Sequence, residues 1–421
     1  MIYNGLSKEE IASLLEKERK IYEEIKGKGL NLDVSRGKPG PEQLDISMEI
    51  INTPITGFSE NGLDCRNYGV LDGIPEIKNL FSELLEVSPS EIFVGGNSSL
   101  NLMYDLLCKF LIFGTSKGEK PWSQYEEIKF LCPAPGYDRH FTITEKFGFK
   151  MIPVKMTENG PDMDEVEALV SSDDSIKGIW CVPMYSNPQG ITYSDETVRR
   201  FANLKPKAPD FKIMWDNAYF VHHLTDTPDS LLNILSECKK TGKEDMVYIF
   251  ASTSKISFPG AGVAVMASSE KNIKYVLGHI GAQTIGYDKL NQLRHAAFFK
   301  TANDVHKHMK KHRDIIYPKF LIIEKALDEG LVKEGLISYI KPNGGYFISV
   351  DTALASAKRV VKLCLDAGLK LTDAGSSYPY HIDPEDKNIR LAPTYIGEKD
   401  LSQFGALFST AVRIATLEKL S

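Results

Sequence analysis

The chain has 421 residues, of which 42% are hydrophobic and 25% are charged, and its formal net charge is −6 at pH 7. This composition is typical of a globular protein, and the length predicts two domains rather than one. The negative charge and the lack of a long basic run argue against nucleic acid as a partner. No apolar run reaches the length of a membrane span, and charged residues from Lys8 onward exclude a signal peptide. We therefore expect a cytoplasmic protein with no membrane partner.

The first predicted element is an amphipathic helix. Ser7 and Glu10 form a capping box, and apolar residues follow at helical spacing as far as Gly27. The next stretch, residues 31–41, is too rich in glycine and proline for a helix or strand and predicts an irregular segment. Arg36 on this segment is a candidate for binding an acidic group, and its alternative is a solvated surface side chain.

A glycine pair follows a short predicted strand at residues 91–94. The turn at 95–99 leads into an apolar-striped helix, so it presents free backbone N–H groups at a helix N-terminus, where phosphate is favoured. The turn is neither a Walker loop nor G-x-G-x-x-G, and glycine with a polar cap also serves turns that bind nothing.

Apolar strands then alternate with helical stretches as far as residue 266. This alternation predicts an α/β domain with a mostly parallel sheet, whose ligands bind beyond the carboxyl ends of the strands. The predicted strands are 128–132, 177–183, 211–215, 246–250 and 261–266. Polar clusters follow four of them, at residues 133–140, 184–190, 216–219 and 251–260.

After about residue 300 the pattern changes to a long helix at 303–327, strands within 337–350, a helix at 355–367 and a final helix at 398–419. We predict a large cofactor-binding domain over residues 50–300. The smaller α+β domain is predicted from residues 1–49 and 301–421 together.

Histidines and cysteines do not predict a metal site. His306, His308 and His312 lack a carboxylate or cysteine partner and are surrounded by lysines, so we predict a solvated helix face. The six cysteines lie far apart, which suits reduced thiols in a cytosol, and we interpret them as small core residues.

The polar residues at the strand ends match the parts of one cofactor, pyridoxal 5'-phosphate. Burial would lower the pKa of Lys255 and leave the neutral amine that forms a Schiff base with an aldehyde. Asp216 would pair with the protonated pyridine nitrogen. Tyr137 would lie against the ring, and Asn187 and Tyr219 would hydrogen-bond its phenolic oxygen. The phosphate would be held by a group of small residues, Gly96, Asn97, Ser98, Ser99, Ser252 and Ser254.

Each of these residues also has a purely structural interpretation. Asp216 could cap a helix, Asn187 could form a turn with Pro188, Tyr137 could pack in the core, and Lys255 could point to solvent from a loop. Their joint arrangement in chain order favours the cofactor.

Seven motifs occur in a set order: Tyr68-Gly69, Gly95-Gly96-Asn97, Pro135-Gly136-Tyr137, Asn187-Pro188-Gln189-Gly190, Asp216-Asn217-Ala218-Tyr219, Ser252-Thr253-Ser254-Lys255 and Arg390. In this order, over nearly the whole chain, the sequence resembles the fold-type I, class I/II aminotransferases. The stretches 35–41 and 254–262 are similar to a divergent bacterial aspartate aminotransferase subgroup called MocR-like. True MocR regulators carry a DNA-binding winged helix first, for which residues 1–35 are too short.

The resemblance implies the fold of type I pyridoxal-phosphate transferases and an aminotransferase reaction. The amino donor would be aspartate or glutamate, and the acceptor a 2-oxo acid such as 2-oxoglutarate. The catalytic residues would be Lys255, Asp216 and Tyr219. Arg390 would grip the substrate α-carboxylate in a bidentate pair, for which guanidinium geometry is suited, and the same site would include Gly37, Asn187 and Arg36. The resemblance also implies a homodimer in which Tyr68 reaches the other subunit's cofactor phosphate.

The sequence departs from the family pattern in two places. Val263 occupies the position where many relatives carry a phosphate-binding arginine, and Tyr137 stands in for the tryptophan that stacks on the cofactor ring. The cation for a substrate side-chain carboxylate stays open among Arg36, Arg139, Lys289 and Arg294. Two other functions stay open as well. One is a C–S β-lyase on the same scaffold. The other is a non-catalytic ligand-sensing domain, against which the intact Lys255 and Asp216 argue.

Overall fold

An eight-stranded sheet is the largest element of the computed structural model, which describes residues 1–421. Its strand order is β2-β9-β8-β7-β6-β3-β4-β5, and the central strands β8, β7, β6, β3 and β4 are parallel. The strands of the whole molecule are β1 (Leu32–Asp33), β2 (Ile92–Val94), β3 (Lys129–Ala134), β4 (Lys150–Thr157), β5 (Gly160–Pro161), β6 (Ile176–Cys181), β7 (Lys212–Asp216), β8 (Val247–Ser252), β9 (Ala264–Ala267), β10 (Ile337–Tyr339), β11 (Ile348–Thr352), β12 (Leu369–Lys370) and β13 (Asn388–Leu391).

Helices cover both faces of this sheet and build the rest of the chain. They are α1 (Lys8–Lys26), α2 (Pro41–Asp45), α3 (Glu49–Asn52), α4 (Pro75–Leu85), α5 (Ser99–Phe113), α6 (Asp138–Lys146), α7 (Met163–Ser172), α8 (Asp195–Asn203), α9 (Ile234–Lys240), α10 (Glu270–Ile280), α11 (Lys289–Phe298), α12 (Ala302–Leu327), α13 (Ala357–Asp366), α14 (Glu398–Leu401) and α15 (Phe404–Leu420). None of them combines the length and the apolar character needed to cross a membrane.

The central strands are apolar along their whole length because both faces of the sheet are covered. Every residue of β6, β7 and β8 is buried. The predicted α/β class with a mostly parallel sheet is therefore confirmed. The sequence did not reveal β4, because its exposed lysines and Pro153 interrupt the apolar pattern near the edge of the sheet.

A second core forms around two small sheets, the antiparallel β10-β11-β13 and the parallel pair β1-β12. The helices α1 and α15 pack together on this core, and α1 begins with the predicted Ser7–Glu10 capping box and ends at Gly27. The domain boundaries at 49/50 and 300/301 stay a prediction. Helix α12 supplies Val305 and Met309 to the core of the large sheet and Phe320 to the second core, so it spans both.

The predicted solvated histidine face is wrong for two of its three members. His306 is exposed, but the side chains of His308 and His312 are buried, with 4% and 1% of their surface accessible. Their faces of α12 pack under the turn that carries Lys255, while the neighbouring lysines point outward. The six cysteines are unpaired, and all except the half-buried Cys108 lie in the interior, as predicted.

Candidate active site

A cavity of about 500 Å³ lies at the carboxyl ends of the central strands, between the two cores. Its walls come from the ends of β6, β7 and β8, the irregular segment 35–38, the N-terminus of α5 and the stretch 370–390. Most of the residues predicted for the site line this cavity: Arg36, Gly37, Ser99, Tyr137, Asn187, Asp216, Tyr219, Lys255 and Arg390. Ligand sites of parallel sheets are found at this edge.

Asp216, the last residue of β7, is buried at the bottom of the cavity. Its Oδ2 atom accepts a hydrogen bond of 3.0 Å from His140 Nε2, while its Oδ1 atom has no partner in the chain. The His140 ring is in turn stacked on Trp180, with 4.3 Å between the ring centroids. A buried carboxylate oxygen without a donor is costly, so Oδ1 is poised to accept from a ligand.

Lys255 lies one turn beyond β8 and points its amine into the same cavity. Its Nζ atom lies 4.7 Å from the centroid of the Tyr219 ring. Burial lowers the pKa of Lys255, and the negative charge of Asp216 acts in the opposite direction. The amine is therefore closer to its neutral, nucleophilic form than an exposed lysine would be.

Two tyrosines and an asparagine surround these groups. Tyr137 caps the start of α6 and packs edge-on against His140, with 4.9 Å between the centroids. Burial raises the pKa values of Tyr137 and Tyr219, so both phenols keep their protons and can donate hydrogen bonds. Asn187 is buried and lines the same cavity.

The predicted phosphate-binding residues meet at the N-terminus of α5. Gly96 has a left-handed φ of +64°, which glycine adopts without strain, and Ser98 caps the helix. Ser252 Oγ donates to Ser254 Oγ at 3.0 Å, and Ser254 Oγ donates to the Asn97 carbonyl at 3.3 Å. Two loops distant in sequence thus place hydroxyl groups beside a helix N-terminus, an arrangement that favours an anion.

Val263 is buried in the core of the large sheet, and its backbone N–H donates to Thr253 Oγ1 at 2.9 Å. The position of the arginine seen in many relatives is therefore apolar in this chain. Hydroxyls and backbone N–H groups are what the turn offers to an anion.

Arg390, on β13, enters the cavity from the second core. Its Nη1 atom donates to Asp138 at 3.0 Å and to Asn187 at 3.2 Å, and its Nε atom donates to Thr372 at 3.3 Å. Its Nη2 atom has no hydrogen-bond partner in the chain. The guanidinium lies 5.0 Å from the centre of the Phe347 ring. These contacts hold the guanidinium in place and leave its Nη2 atom free to donate to a carboxylate.

Gly37 lies against the same Phe347 ring. A Cβ atom at this position would approach Phe347 Cζ to 2.3 Å, so a larger residue would displace the ring that supports Arg390. This close approach explains the glycine and keeps segment 35–38 at the cavity wall.

Four cations were candidates for binding a second substrate carboxylate. Arg36 and Arg139 line the cavity, and neither forms an ion pair within the chain. Lys289 donates instead to the Gly69 carbonyl at 2.8 Å, and neither it nor Arg294 lines the cavity. Tyr68 is also away from the cavity, on the surface, with 79% of its side chain exposed.

The family model described as aspartate amino-transferase matches residues 6–421. The chain is 44% identical over 399 residues to the aspartate aminotransferase of Corynebacterium glutamicum, a match that covers 94% of this chain and 92% of that protein. The chain belongs to the aspartate aminotransferase family. Its members use pyridoxal phosphate, so the predicted cofactor, reaction class and recognition of the family are confirmed.

Solved structures agree with this assignment. The crystal structure of an aspartate transaminase from the same organism superimposes with a TM-score of 0.97 at 42% identity, covering all of both chains. The α-aminoadipate aminotransferase LysN of Thermus thermophilus, complexed with N-(5'-phosphopyridoxyl)-L-leucine, has a TM-score of 0.73 at 19% identity over 94% of each chain, which shows that the fold is shared.

The cavity of this aminotransferase fits pyridoxal phosphate. The unpartnered Asp216 Oδ1 can accept a hydrogen bond from a pyridinium N–H, and the Lys255 amine can bind the aldehyde. The helix N-terminus beside Ser252 and Ser254 suits the phosphate. The residues of one cavity and of the adjacent turn can therefore bind the ring nitrogen, the aldehyde and the phosphate of the cofactor.

Three residues of the site were missed from the sequence. His140 donates to Asp216. It lies three residues after Tyr137 in the sequence, but no known motif indicates its role. Asp138 and Thr372 hold Arg390, and only the fold brings these distant residues together.

Proposed function

We propose that this chain transfers the amino group of aspartate or glutamate to a 2-oxo acid such as 2-oxoglutarate. The observation that carries this proposal is a single cavity in which Lys255 and Asp216 face Arg390 and the unpaired cations Arg36 and Arg139. A substrate with two carboxylates needs two cationic groups. The aspartate aminotransferase named above provides independent support, because it is similar over nearly its whole length.

Lys255 moves the proton in this proposal. The bound cofactor supplies an electron sink for the bond broken at the substrate Cα atom. With the cofactor bound, the Lys255 amine would take the Cα proton as a general base and would then donate it again as a general acid. Proton transfer by a positioned amine contributes about 10²–10⁴-fold to such a step. The lowered pKa of Lys255 keeps a larger fraction of the amine neutral and able to accept the proton.

Asp216 would keep the ring nitrogen of the cofactor protonated, and His140 orients this carboxylate. Tyr219 and Asn187 would donate to the phenolic oxygen, and Tyr137 would lie against the ring. The phosphate would be held by residues of the two loops at the start of α5, Gly96, Asn97, Ser98, Ser99, Ser252 and Ser254.

Arg390 binds the substrate α-carboxylate through its free Nη2 atom, assisted by Asn187 and by the backbone at Gly37. Arg36 and Arg139 bind the side-chain carboxylate. Both lie at the cavity wall without an acidic partner, so substrate binding does not have to break an existing ion pair.

We also propose that the enzyme is a cytoplasmic homodimer. The six unpaired cysteines suit a reducing compartment. The exposed Tyr68 is the residue through which one subunit would reach the cofactor phosphate of its partner.

A panel of amino acids tests the substrate assignment. The purified enzyme, loaded with pyridoxal phosphate, is mixed with aspartate, glutamate, alanine or phenylalanine, and conversion of the cofactor to its amine form is followed by absorbance. Aspartate and glutamate should react fastest. Arg36→Gln and Arg139→Gln should lower kcat/KM for these two substrates by about tenfold or more, because a hydrogen bond to a charged group is worth about 1.5–3 kcal/mol, and should leave alanine unaffected.

Lys255→Ala is the control for the same assay and should bind the cofactor without turnover. Undiminished turnover in this variant would refute the role of Lys255. Release of pyruvate and ammonia from a sulfur-containing amino acid, without need for a 2-oxo acid, would instead indicate β-lyase activity.

A further inference from the structure

The turn that carries Lys255 rests on a group of buried polar side chains, which we call the polar layer: Gln43, Ser47, His308, His312 and Tyr346. These residues come from α2, the loop after it, α12 and the segment before β11. They converge on two consecutive backbone carbonyls, those of Lys255 and Ile256. The main chain of the lysine is therefore held from below by elements outside the large sheet.

Gln43 is at the centre of the polar layer and has no accessible surface. Its Oε1 atom accepts a hydrogen bond of 3.1 Å from the Gly40 N–H, which fixes the orientation of the amide. Its Nε2 atom then donates in two directions, to the Tyr346 hydroxyl at 2.8 Å and to His312 Nδ1 at 3.0 Å. Both hydrogens of this amide are used within the protein.

These two donations determine the protons of the next residues. His312 accepts at Nδ1, so its proton is on Nε2, which lies 3.0 Å from the Ile256 carbonyl and donates to it. The Tyr346 hydroxyl accepts from Gln43, so its own proton points to the Lys255 carbonyl at 3.5 Å. One amide therefore directs two hydrogen-bond relays to two adjacent carbonyls.

His308 completes the arrangement in its neutral form. Its Nε2 atom lies 3.0 Å from the Ile256 carbonyl, 3.1 Å from His312 Nε2 and 3.0 Å from Ser47 Oγ. The His308 proton lies on Nε2 and donates to this carbonyl, so the Nε2 N–H groups of both histidines share one acceptor. Burial lowers the pKa values of His308 to about 4 and of His312 to about 3, in agreement with this arrangement.

Gln43 also joins the catalytic lysine to the substrate side of the cavity. Gln43 accepts from the N–H of Gly40, which lies two residues after the segment Arg36–Lys38 that lines the cavity. A shift of this segment would therefore be transmitted through Gln43, and then through Tyr346 and His312, to the carbonyls of Lys255 and Ile256.

We propose that Gln43 is a positioning residue, which sets the place of the Lys255 amine through the Tyr346 and His312 relays and couples it to the substrate-binding segment. This inference rests on the proposed role of Lys255. Gln43 touches neither substrate nor cofactor. It acts through the main chain of the lysine turn.

Gln43→Met tests the proposal, because methionine keeps the size of the side chain and removes all three hydrogen bonds. The holoenzyme should convert its cofactor to the amine form roughly 10- to 100-fold more slowly with glutamate, the loss expected when a reacting group is misplaced by about 1 Å. The pH titration of the bound cofactor's absorbance, which needs no substrate, should shift by about half a unit or more relative to the native protein.

Gln292→Met is the matched control. Gln292 is also buried, with 3% of its surface accessible, and its Oε1 atom accepts from the Ile74 N–H at 3.0 Å, outside the polar layer. This variant should lose a comparable amount of thermal stability but keep the absorbance titration and the conversion rate of the native protein. If Gln43→Met behaves in the same way, its role is structural and the proposal is wrong.

A second pair of variants decides the case if Gln43→Met does not fold. His312→Gln retains an amide that can donate to the Ile256 carbonyl, whereas His312→Leu cannot donate. The pH midpoint of the cofactor's absorbance should stay near the native value in His312→Gln and shift in His312→Leu. Equal midpoints in the two variants would overturn the proposal. Failure of the native enzyme to react with glutamate would refute the proposed function and leave the titration result readable.

Discussion

The carboxylate of Asp216 has one oxygen paired with His140 and the other free toward the cavity. Asp216→Asn should lower kcat by about 10²-fold or more, because an amide cannot hold a positive charge on the cofactor's ring nitrogen and one preorganised electrostatic partner is worth about that factor. Steady-state kinetics with aspartate and 2-oxoglutarate measure the loss. The absorbance spectrum shows whether the cofactor still binds.

Asp210 provides the comparison for this prediction. It is as buried as Asp216, but it pairs with Lys177 at 2.7 Å and Trp122 at 3.0 Å, outside the cavity. Asp210→Asn should reduce thermal stability because it weakens a buried ion pair, and should leave kcat close to that of the native enzyme. Equal losses of kcat in the two variants would show that the effect is one of folding.

The chemistry of single residues was readable from the sequence where a motif follows a strand. Lys255, Asp216 and Asn187 each come after an apolar run, so their meeting at one edge of the sheet could be expected. Gln43 follows no strand, and His140, although it lies in the polar cluster after β3, belongs to no motif. Their roles depend on hydrogen bonds to residues 76 and 269 positions away, which no local pattern reports.

Helix α12 carries the two buried histidines, and it makes the stability of the protein depend on pH. The pKa values of His308 and His312 in the folded protein, about 4 and about 3, lie below the ordinary value of 6.5. At a pH between these values and 6.5, the two histidines are protonated in the unfolded chain but remain neutral in the folded protein. The free energy of unfolding should therefore fall with decreasing pH, by up to about 1.4 kcal/mol per pH unit for each histidine, and the contribution is complete above pH 6.5.

Urea unfolding of the cofactor-free protein at pH 7, 6 and 5 measures this contribution. The double variant His308→Gln/His312→Gln should lose less free energy of unfolding than the native protein between pH 7 and 5. Burial also lowers the pKa of His306, on the exposed face of the same helix, so His306→Gln should deviate from the native curve in the same direction but less than the double variant. Parallel curves for native protein and double variant would contradict the assignment of the pKa values.

Elements with a continuous apolar pattern were placed well by sequence alone. Helix α12 was predicted at 303–327 and found at Ala302–Leu327, and the buried strands differ from prediction by a few residues. The side of α12 that is buried was not predicted, because lysines flank the histidines on both sides and suggest solvent. Burial there depends on the turn after β8, which is distant in sequence and supplies the acceptor for both rings.

In the molecule as a whole, the cavity is built where two hydrophobic cores meet. The large sheet supplies Lys255 and Asp216, and the second core supplies Arg390. Helix α12 and the segment around Gln43 connect the two. The groups proposed to hold the substrate and those proposed to hold the cofactor therefore belong largely to different packing units.

The proposed homodimer would build each site from residues of two subunits, since Tyr68 is exposed and does not line the cavity of its own chain. A heterodimer of one Lys255→Ala chain and one Tyr68→Ala chain, purified through two different tags, tests it. In this heterodimer the Tyr68→Ala chain keeps its own lysine and receives the tyrosine of its partner, so one complete site is restored. At limiting pyridoxal phosphate the heterodimer should show about half the native activity, whereas the Lys255→Ala homodimer is inactive and the Tyr68→Ala homodimer binds the cofactor weakly. Because a tyrosine that served its own chain would leave no complete site, activity no higher than the average of the two homodimers would exclude the shared site.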